Sequence, residues 1–271
     1  MLDELQKDRR HEASDALSPL KNHAAVGSIL NGLTDSRVFV DNRDHPKCSL
    51  TWTKSRIYLS GKLSGEAAQR AAETIRNKIE HDSKRRGARR FILYYDAKMP
   101  LTGLLQLLDG VKARPDAKNY YELDVGTREW SEVGIDGYRL EVIDRRFLDS
   151  SYENLDKVRE EMCSERGSVE EFLEKSVGVC GVAGDEVASW CMSEYNHGDR
   201  YEIGIATAEK HRRQGLATAT ADALMRLCLG RGFSRVGWHC WNRNTPSNRT
   251  AQGLGFTLVE SYPVFFLEAE S

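Results

Sequence analysis

Seven residues, His211-Arg212-Arg213-Gln214-Gly215-Leu216-Ala217, constrain this chain more than any other stretch. They join a strand-like run, Tyr201 to Ala206, to a helix-like run, Leu216 to Leu229. A turn from strand into helix presents backbone N–H groups that have no partner within the helix. The helix dipole adds partial positive charge at the same end. Gly215 lets the backbone approach a ligand closely, and Arg212 and Arg213 add formal charge. Arg-x-x-Gly-x-Ala in this setting is suited to hold a pyrophosphate. The turn lacks both the Gly-x-x-x-x-Gly-Lys-Ser/Thr loop of nucleoside triphosphatases and the Gly-x-Gly-x-x-Gly dinucleotide fingerprint. A phosphorylated cofactor of another kind is therefore expected near the C-terminal end.

The neighbourhood is ordered around that turn. Glu202 stands in the preceding strand, ten residues before Arg212. A strand from Arg235 to Cys240 follows the helix, and then Asn244-x-x-Ser247 opens a short helix that ends at Gly255-Phe256. Together these features over residues 177–267 resemble motifs A and B of the GNAT superfamily, the Gcn5-related N-acetyltransferases. Val38-Phe39-Val40-Asp41-Asn42, Pro46, Trp52 and Trp238-His239-Cys240-Trp241-Asn242 are further similar to bacterial GNAT proteins of the zwittermicin-A-resistance type. Members of that group are two-domain proteins that acetylate an amine on an aminated antibiotic.

The resemblance implies an α+β (mixed α/β) GNAT fold. Its C-terminal catalytic domain would hold a mixed, mostly antiparallel sheet flanked by helices, preceded by a degenerate GNAT-like N-terminal domain. It also implies acetyl-CoA as cofactor. Ile205, Ala206 and Thr207 would pair with the pantetheine arm. Arg212, Arg213, Gln214, Gly215, Leu216, Ala217 and Thr218 would surround the pyrophosphate, and Asn244 and Ser247 would line the other side.

Acetyl transfer to an amine requires a base, because a free alkylamine is mostly protonated at pH 7. Glu202 occupies the position at which several GNAT enzymes carry such a glutamate. Period-2 alternation places it on the sheet face opposite Tyr201, Ile203 and Ile205. The alternative is a surface carboxylate on an exposed face, with Glu194 and Asp199 as weaker candidates. The superfamily's tyrosine acid, seven residues after the motif B asparagine, falls here on Ala251, which has no proton to give. Tyr262 is the substitute candidate, read alternatively as an edge-strand aromatic. His239 reads by default as a structural hydrogen-bonding residue. Trp190, Trp238, Trp241 and Tyr195 are candidates for an acceptor pocket, with core packing as the default.

The first half alternates helix and strand without a comparable glycine turn. A helical stretch covers the first ~30 residues. A strand at Val38–Val40, a hairpin of Cys48–Trp52 with Arg56–Leu59, a helix from Ser64 to about His81, a strand at Phe91–Tyr95, a helix at Leu101–Leu108 and a strand at Tyr120–Leu123 follow. The expected domains are 1–125, a linker at 126–136 and a catalytic domain at 137–271. The basic run Lys84–Arg90 reads as a solvated helix end. With 39 basic and 41 acidic residues the chain is nearly neutral, which argues against nucleic-acid or membrane partners. Its six cysteines form no Cys-x-x-Cys pair, so free thiols, a cytoplasmic setting and no metal site are expected. The partner expected is a small-molecule amine, bound by a monomer or homodimer. Two other readings stay open: a protein or peptide amine as acceptor, and a non-catalytic acyl-CoA-binding module.

Overall fold

The computed structural model describes residues 2–130 and 134–269. Residues 131–133 of the expected linker lie outside the described residues. The chain divides into two compact units, Met1–Lys118 with Ser261–Ser271, and Asn119–Glu260.

The first unit opens on a short strand, β1 (Asp3–Leu5), which pairs antiparallel with β2 (Arg37–Val40). Between them lie 3-10 turns and two short helices, α1 (Ser14–Leu17) and α2 (Ala24–Leu30). The first ~30 residues are thus mostly helical, apart from three that gain a strand partner over thirty residues away. β3 (Cys48–Thr53) and β4 (Arg56–Gly61) extend the antiparallel order. The long helix α3 (Gly65–Arg86) then crosses to β5 (Arg90–Tyr95), which runs parallel to β4. A core of Leu50, Ile57, Leu59, Ile75, Phe91 and Leu93 fills the space beneath α3 and α4 (Leu101–Leu107). The basic run continues α3 to its end at Gly87, whose φ of 63° is left-handed, the common glycine stop of a helix.

β6 (Lys112–Asp124) leads into the second unit. There β7 (Arg139–Val142), the helices α5 (Arg145–Leu148), α6 (Leu155–Glu165) and α7 (Val169–Lys175), and the strands β8 (Gly178–Ala183) and β9 (Glu186–His197) precede the central segment. That segment is β10 (Arg200–Thr207), α8 (Leu216–Leu229) and β11 (Arg235–Trp241), followed by α9 (Thr245–Gly253). The sheet order is β6-β11-β10-β9-β8-β7. The pairs β7/β8, β8/β9 and β9/β10 are antiparallel, and β10/β11 is parallel. Both units thus repeat one pattern, three antiparallel steps and then a helix leading into a parallel step. This follows from chain connectivity, because a parallel neighbour needs a crossover long enough to hold a helix.

The last strand, β12 (Thr257–Glu268), pairs Val264–Glu268 with Arg90–Tyr94 of β5. The end of the chain therefore belongs to the first unit, whereas the sequence reading placed it in the second domain. The partner strand lies some 170 residues upstream, too far for local pattern to show.

All six cysteines are free, and all but Cys163 are buried. Burial pushes the Cys48 and Cys228 thiols up to about 12, and those of Cys180 and Cys191 upward as well. A folded-state pKa above the unfolded value of about 8.5 means that the folded chain holds the proton more tightly. This contribution to stability is complete below about pH 8.5 and is lost as pH rises toward 12. The thermal midpoint is expected to fall between about pH 9 and 11, and the fall to shrink in Cys48→Ala/Cys228→Ala.

Candidate functional site

In the second unit the parallel register of β10 and β11 runs from Arg200↔Arg235 to Ile203↔Trp238 and stops there. Both strands continue, β10 to Thr207 and β11 to Trp241, so they part beyond Ile203. On its other edge β10 stays paired with β9 as far as Thr207↔Ser189. The N–H of Ala208 donates to Ala188 O at 2.8 Å, on the β9 side. Alternation along a strand then turns the backbone groups of Ile205 and Thr207 toward the gap and those of Ala206 toward β9. Ser189 Oγ donates to Ala206 O at 2.8 Å, as that orientation requires. A polar strand edge facing an opening between two strands is suited to pair with an extended ligand.

The turn from β10 into α8 lies at the end of the same strand. Gly215 caps α8 with φ 82°, and Arg213 also has a positive φ, 62°. Among the described residues no side chain caps the helix, so the N–H groups of Leu216, Ala217 and Thr218 have no side-chain partner at the cap. Among the described residues, a Cβ at Gly215 would meet only Ile135 Cδ1, at 3.7 Å. Space is available, and the cost of a side chain there is conformational. Gly215→Ala is expected to lose about 1–2 kcal/mol of stability, seen as a lower thermal midpoint, and to narrow the approach to the helix end.

Four basic residues crowd this turn, and their electrostatic partners separate them. Glu186 Oε2 lies 2.6 Å from Lys210 Nζ and 3.2 Å from His211 Nε2. The hydrogen bonds from Lys210 and then His211 hold the Glu186 carboxyl below its usual range. The Tyr138 hydroxyl binds Gln214 Oε1 at 2.6 Å and His211 Nδ1 at 3.0 Å, so Gln214 braces the loop. Arg212 and Arg213 are exposed, and Arg212 Nε donates to Thr207 O at 3.3 Å. Among the described residues, neither arginine forms an ion pair with a carboxylate. They are the two cations of the turn that remain available to an anion.

Tyr201, Ile203 and Ile205 pack into the core beneath α8 with Leu224 and Met225. Glu202 and Gly204 therefore occupy the opposite face, as the alternation requires. The register slips at Tyr201/Ile203, where β9 advances three residues against two on β10, a bulge opposite Glu202. Glu202 is 2 % exposed, and its Oε1 lies 3.2 Å from His239 Nε2. Tyr120 stacks on the His239 ring at 4.6 Å. The Tyr120 hydroxyl donates to Glu122 at 2.7 Å and accepts from Arg200 at 2.7 Å. Burial first, and Glu122 second, push its pKa up. Gly237 makes room for this group, since a Cβ there would sit 3.0 Å from the Tyr120 ring and 3.4 Å from Glu202 Cγ.

Asn244 caps α9, its side chain accepting the Ser247 N–H at 3.3 Å. The Ser247 hydroxyl accepts from the Trp238 indole at 3.0 Å. Each thus has a structural role in shaping the end of β11. Trp238 and Tyr195 are fully buried, Trp238 within the core under α8, while Trp190 packs against Phe172 and Val187. Ala251 is fully buried in the same core as Trp238. Tyr262 belongs to the first unit, where its ring meets His23 edge-on at 5.1 Å and Tyr94 at 6.2 Å. Asp199 is held by Arg235 and Ser234, which bring its carboxyl down to about 2, so it is a poor proton acceptor at neutral pH.

Sequence reasoning missed Asn248. Its Oδ1 accepts from Asn119 and Tyr121, each at 2.7 Å, and from Cys240 Sγ at 3.3 Å. Its Nδ2 is directed at the carbonyls of Trp241, Asn242 and Asn244 at 3.1, 3.2 and 2.8 Å. One side chain fastens α9 to β6 and to the loop after β11. An asparagine in the first turn of a helix was the only available signal.

A model of the GNAT acetyltransferase family matches residues 18–265. An uncharacterized N-acetyltransferase, YdfB of Bacillus subtilis, is 32 % identical over 99 residues, which span 36 % of this chain and 38 % of that protein. Three solved structures align over nearly the whole chain. A GCN5-related N-acetyltransferase-like protein from Streptococcus suis has a TM-score of 0.68 at 18 % identity, covering 97 % of this chain and all of that one. A GCN5-related N-acetyltransferase from Sphaerobacter thermophilus has a TM-score of 0.62 at 10 % identity, covering 99 % and 95 %. A tandem GNAT protein of the clavulanic acid biosynthesis pathway has a TM-score of 0.56 at 11 % identity, covering 100 % and 99 %. At these identities the likeness is one of fold.

Proposed function

Because the chain belongs to the GNAT acetyltransferase family, and so is an acyltransferase, we propose that it moves the acetyl group of acetyl-CoA to a primary amine of a small molecule, with an aminated antibiotic as the substrate class. The observation that carries this reading is the pairing of an opening between β10 and β11 with an uncapped α8 terminus. The residues present fit the cofactor. Ile205 and Thr207 offer strand-edge backbone groups to the pantetheine arm, with Ala206 holding the strand to β9. The N–H groups of Leu216, Ala217 and Thr218, with Gly215, Arg212 and Arg213, receive the pyrophosphate. Gln214 supports the loop, and Asn244 and Ser247 fix the strand end on the other side. When bound, the cofactor supplies an activated acetyl thioester.

Glu202 is the base in this reading. Its buried carboxylate would take the proton that an alkylamine carries at pH 7. Among the described residues no helix is long and apolar enough to cross a membrane, and the substrate is read as a dissolved amine.

The test is a thiol-release assay with acetyl-CoA against a panel of aminoglycosides, polyamines, amino-modified peptides and a lysine-rich protein. Turnover with small amines and none with the peptide and protein acceptors is expected. Turnover confined to the peptides or the protein would replace the small-molecule reading. Binding of acetyl-CoA without turnover on any acceptor would favour a non-catalytic module.

A further inference from the structure

We infer that His239 and Glu202 act as one proton-holding pair, in which His239 finally carries the proton taken from the amine. The inference rests on the acetyl-transfer reading above and adds to it a second residue, placed by geometry.

The two side chains are 7 % and 2 % exposed and meet at 3.2 Å through Nε2 and Oε1. Two features hold the imidazole there. It lies on the same sheet face as Glu202, because Trp238 and Cys240 on either side point into the core under α8. Its ring is also covered by Tyr120, which Glu122 and Arg200 fix through the hydroxyl. Among the described residues of the second unit, Glu122 and Arg200 stand behind Tyr120, and two titratable groups face the pair. From β6 comes Tyr120, a neutral hydroxyl whose pKa is raised. From β9 comes Glu194, whose carboxylate fills the place a Cβ on Gly204 would take. α8 lies on the opposite face of the sheet.

A proton added to a lone buried carboxylate leaves a neutral acid. Added to a carboxylate beside a neutral imidazole, it yields a carboxylate–imidazolium pair that is neutral overall and internally attracted. The two side chains thus offer the proton two adjacent sites. The balance is R–NH3+ plus thioester giving amide, thiol and one proton. Glu202 takes the first proton from the ammonium, and it moves across the 3.2 Å contact to Nε2 of His239 in its Nδ1–H tautomer. The freed amine nitrogen bonds to the acyl carbon, the carbon–sulfur bond breaks, and the second nitrogen proton goes with the sulfur. Solvent later receives the proton held on His239.

Two experiments on the full chain test this. In the first, histidine ring signals are titrated by NMR in the wild type and in Glu202→Gln, with the His239 signal assigned by its loss in His239→Gln. The His239 midpoint is expected to fall in Glu202→Gln, which removes the adjacent negative charge. An unchanged midpoint overturns the pairing, and this arm needs no acceptor. In the second, the pH profile of kcat/KM is measured with an amine found active in the panel. His239→Gln preserves a hydrogen-bonding group but removes the proton site. A loss of about 10–100-fold near pH 7 is expected, shrinking above about pH 10, where neutral amine becomes abundant. Wild-type activity and profile in His239→Gln would show a structural role and overturn the proposal alone. No acetyl transfer by the wild type to any acceptor would overturn the acetyl-transfer reading, and the proposal with it.

Discussion

Glu202→Gln is expected to lower kcat about 10²–10³-fold at pH 7 and to leave the KM for acetyl-CoA within about threefold of wild type. The two effects separate because of where Glu202 sits. Its side chain lies on the sheet face opposite α8, whereas the groups proposed to receive the pyrophosphate are backbone N–H groups and arginines at the α8 terminus. Glutamine has nearly the shape of glutamate and can still meet His239, so the variant removes a proton acceptor without opening a cavity. The loss is expected to shrink toward alkaline pH, where deprotonated amine becomes abundant without help. A steady-state comparison at pH 7 and pH 10 checks this. An equal kcat in the two proteins at pH 7 would remove Glu202 from the reaction.

Asn248→Ala is expected to cost about 2–4 kcal/mol, with a fall in thermal midpoint of about 5–15 °C. Asn248 satisfies Asn119, Tyr121 and Cys240 with one oxygen and serves three carbonyls with one amide nitrogen. Asn119 and Tyr121 are buried, so truncation strands polar groups away from water, which costs more than the bond itself. Asn248→Asp keeps the accepting oxygen and loses the donors, and is expected to recover part of the loss. The consequence for the site is indirect. α9 and the loop bearing Asn244 would lose their tie to β6, and acetyl-CoA affinity would weaken together with stability. Thermal unfolding of the three proteins checks the order wild type, Asn248→Asp, Asn248→Ala.

The chain made its local features legible and hid its long-range ones. The turn at His211–Ala217 and the segments on either side could be read because each depends on neighbours a few residues away. Alternation also placed Glu202 opposite Tyr201 and Ile203. Its partner His239 stands 37 residues further on, and only the parallel pairing of β10 with β11 brings the two side chains together. Asn248 and Asn119 are 129 residues apart, so nothing local marks either one. The same reason explains β1, whose three residues are a strand only because β2 is beside them. It also explains the end of β12, which joins the first unit through β5. The parting of β10 from β11 was not readable either, since it is a property of two strands and of no single sequence window.

In the proposed function the β10–α8 turn holds the pyrophosphate of acetyl-CoA. Calorimetric titration of acetyl-CoA into the wild type and into Arg212→Ala/Arg213→Ala tests it most directly. Micromolar binding is expected in the wild type, weakened by about 30-fold or more in the double variant while the thermal midpoint without ligand stays unchanged. Equal affinity in the two proteins, or no heat of binding in the wild type, would contradict it.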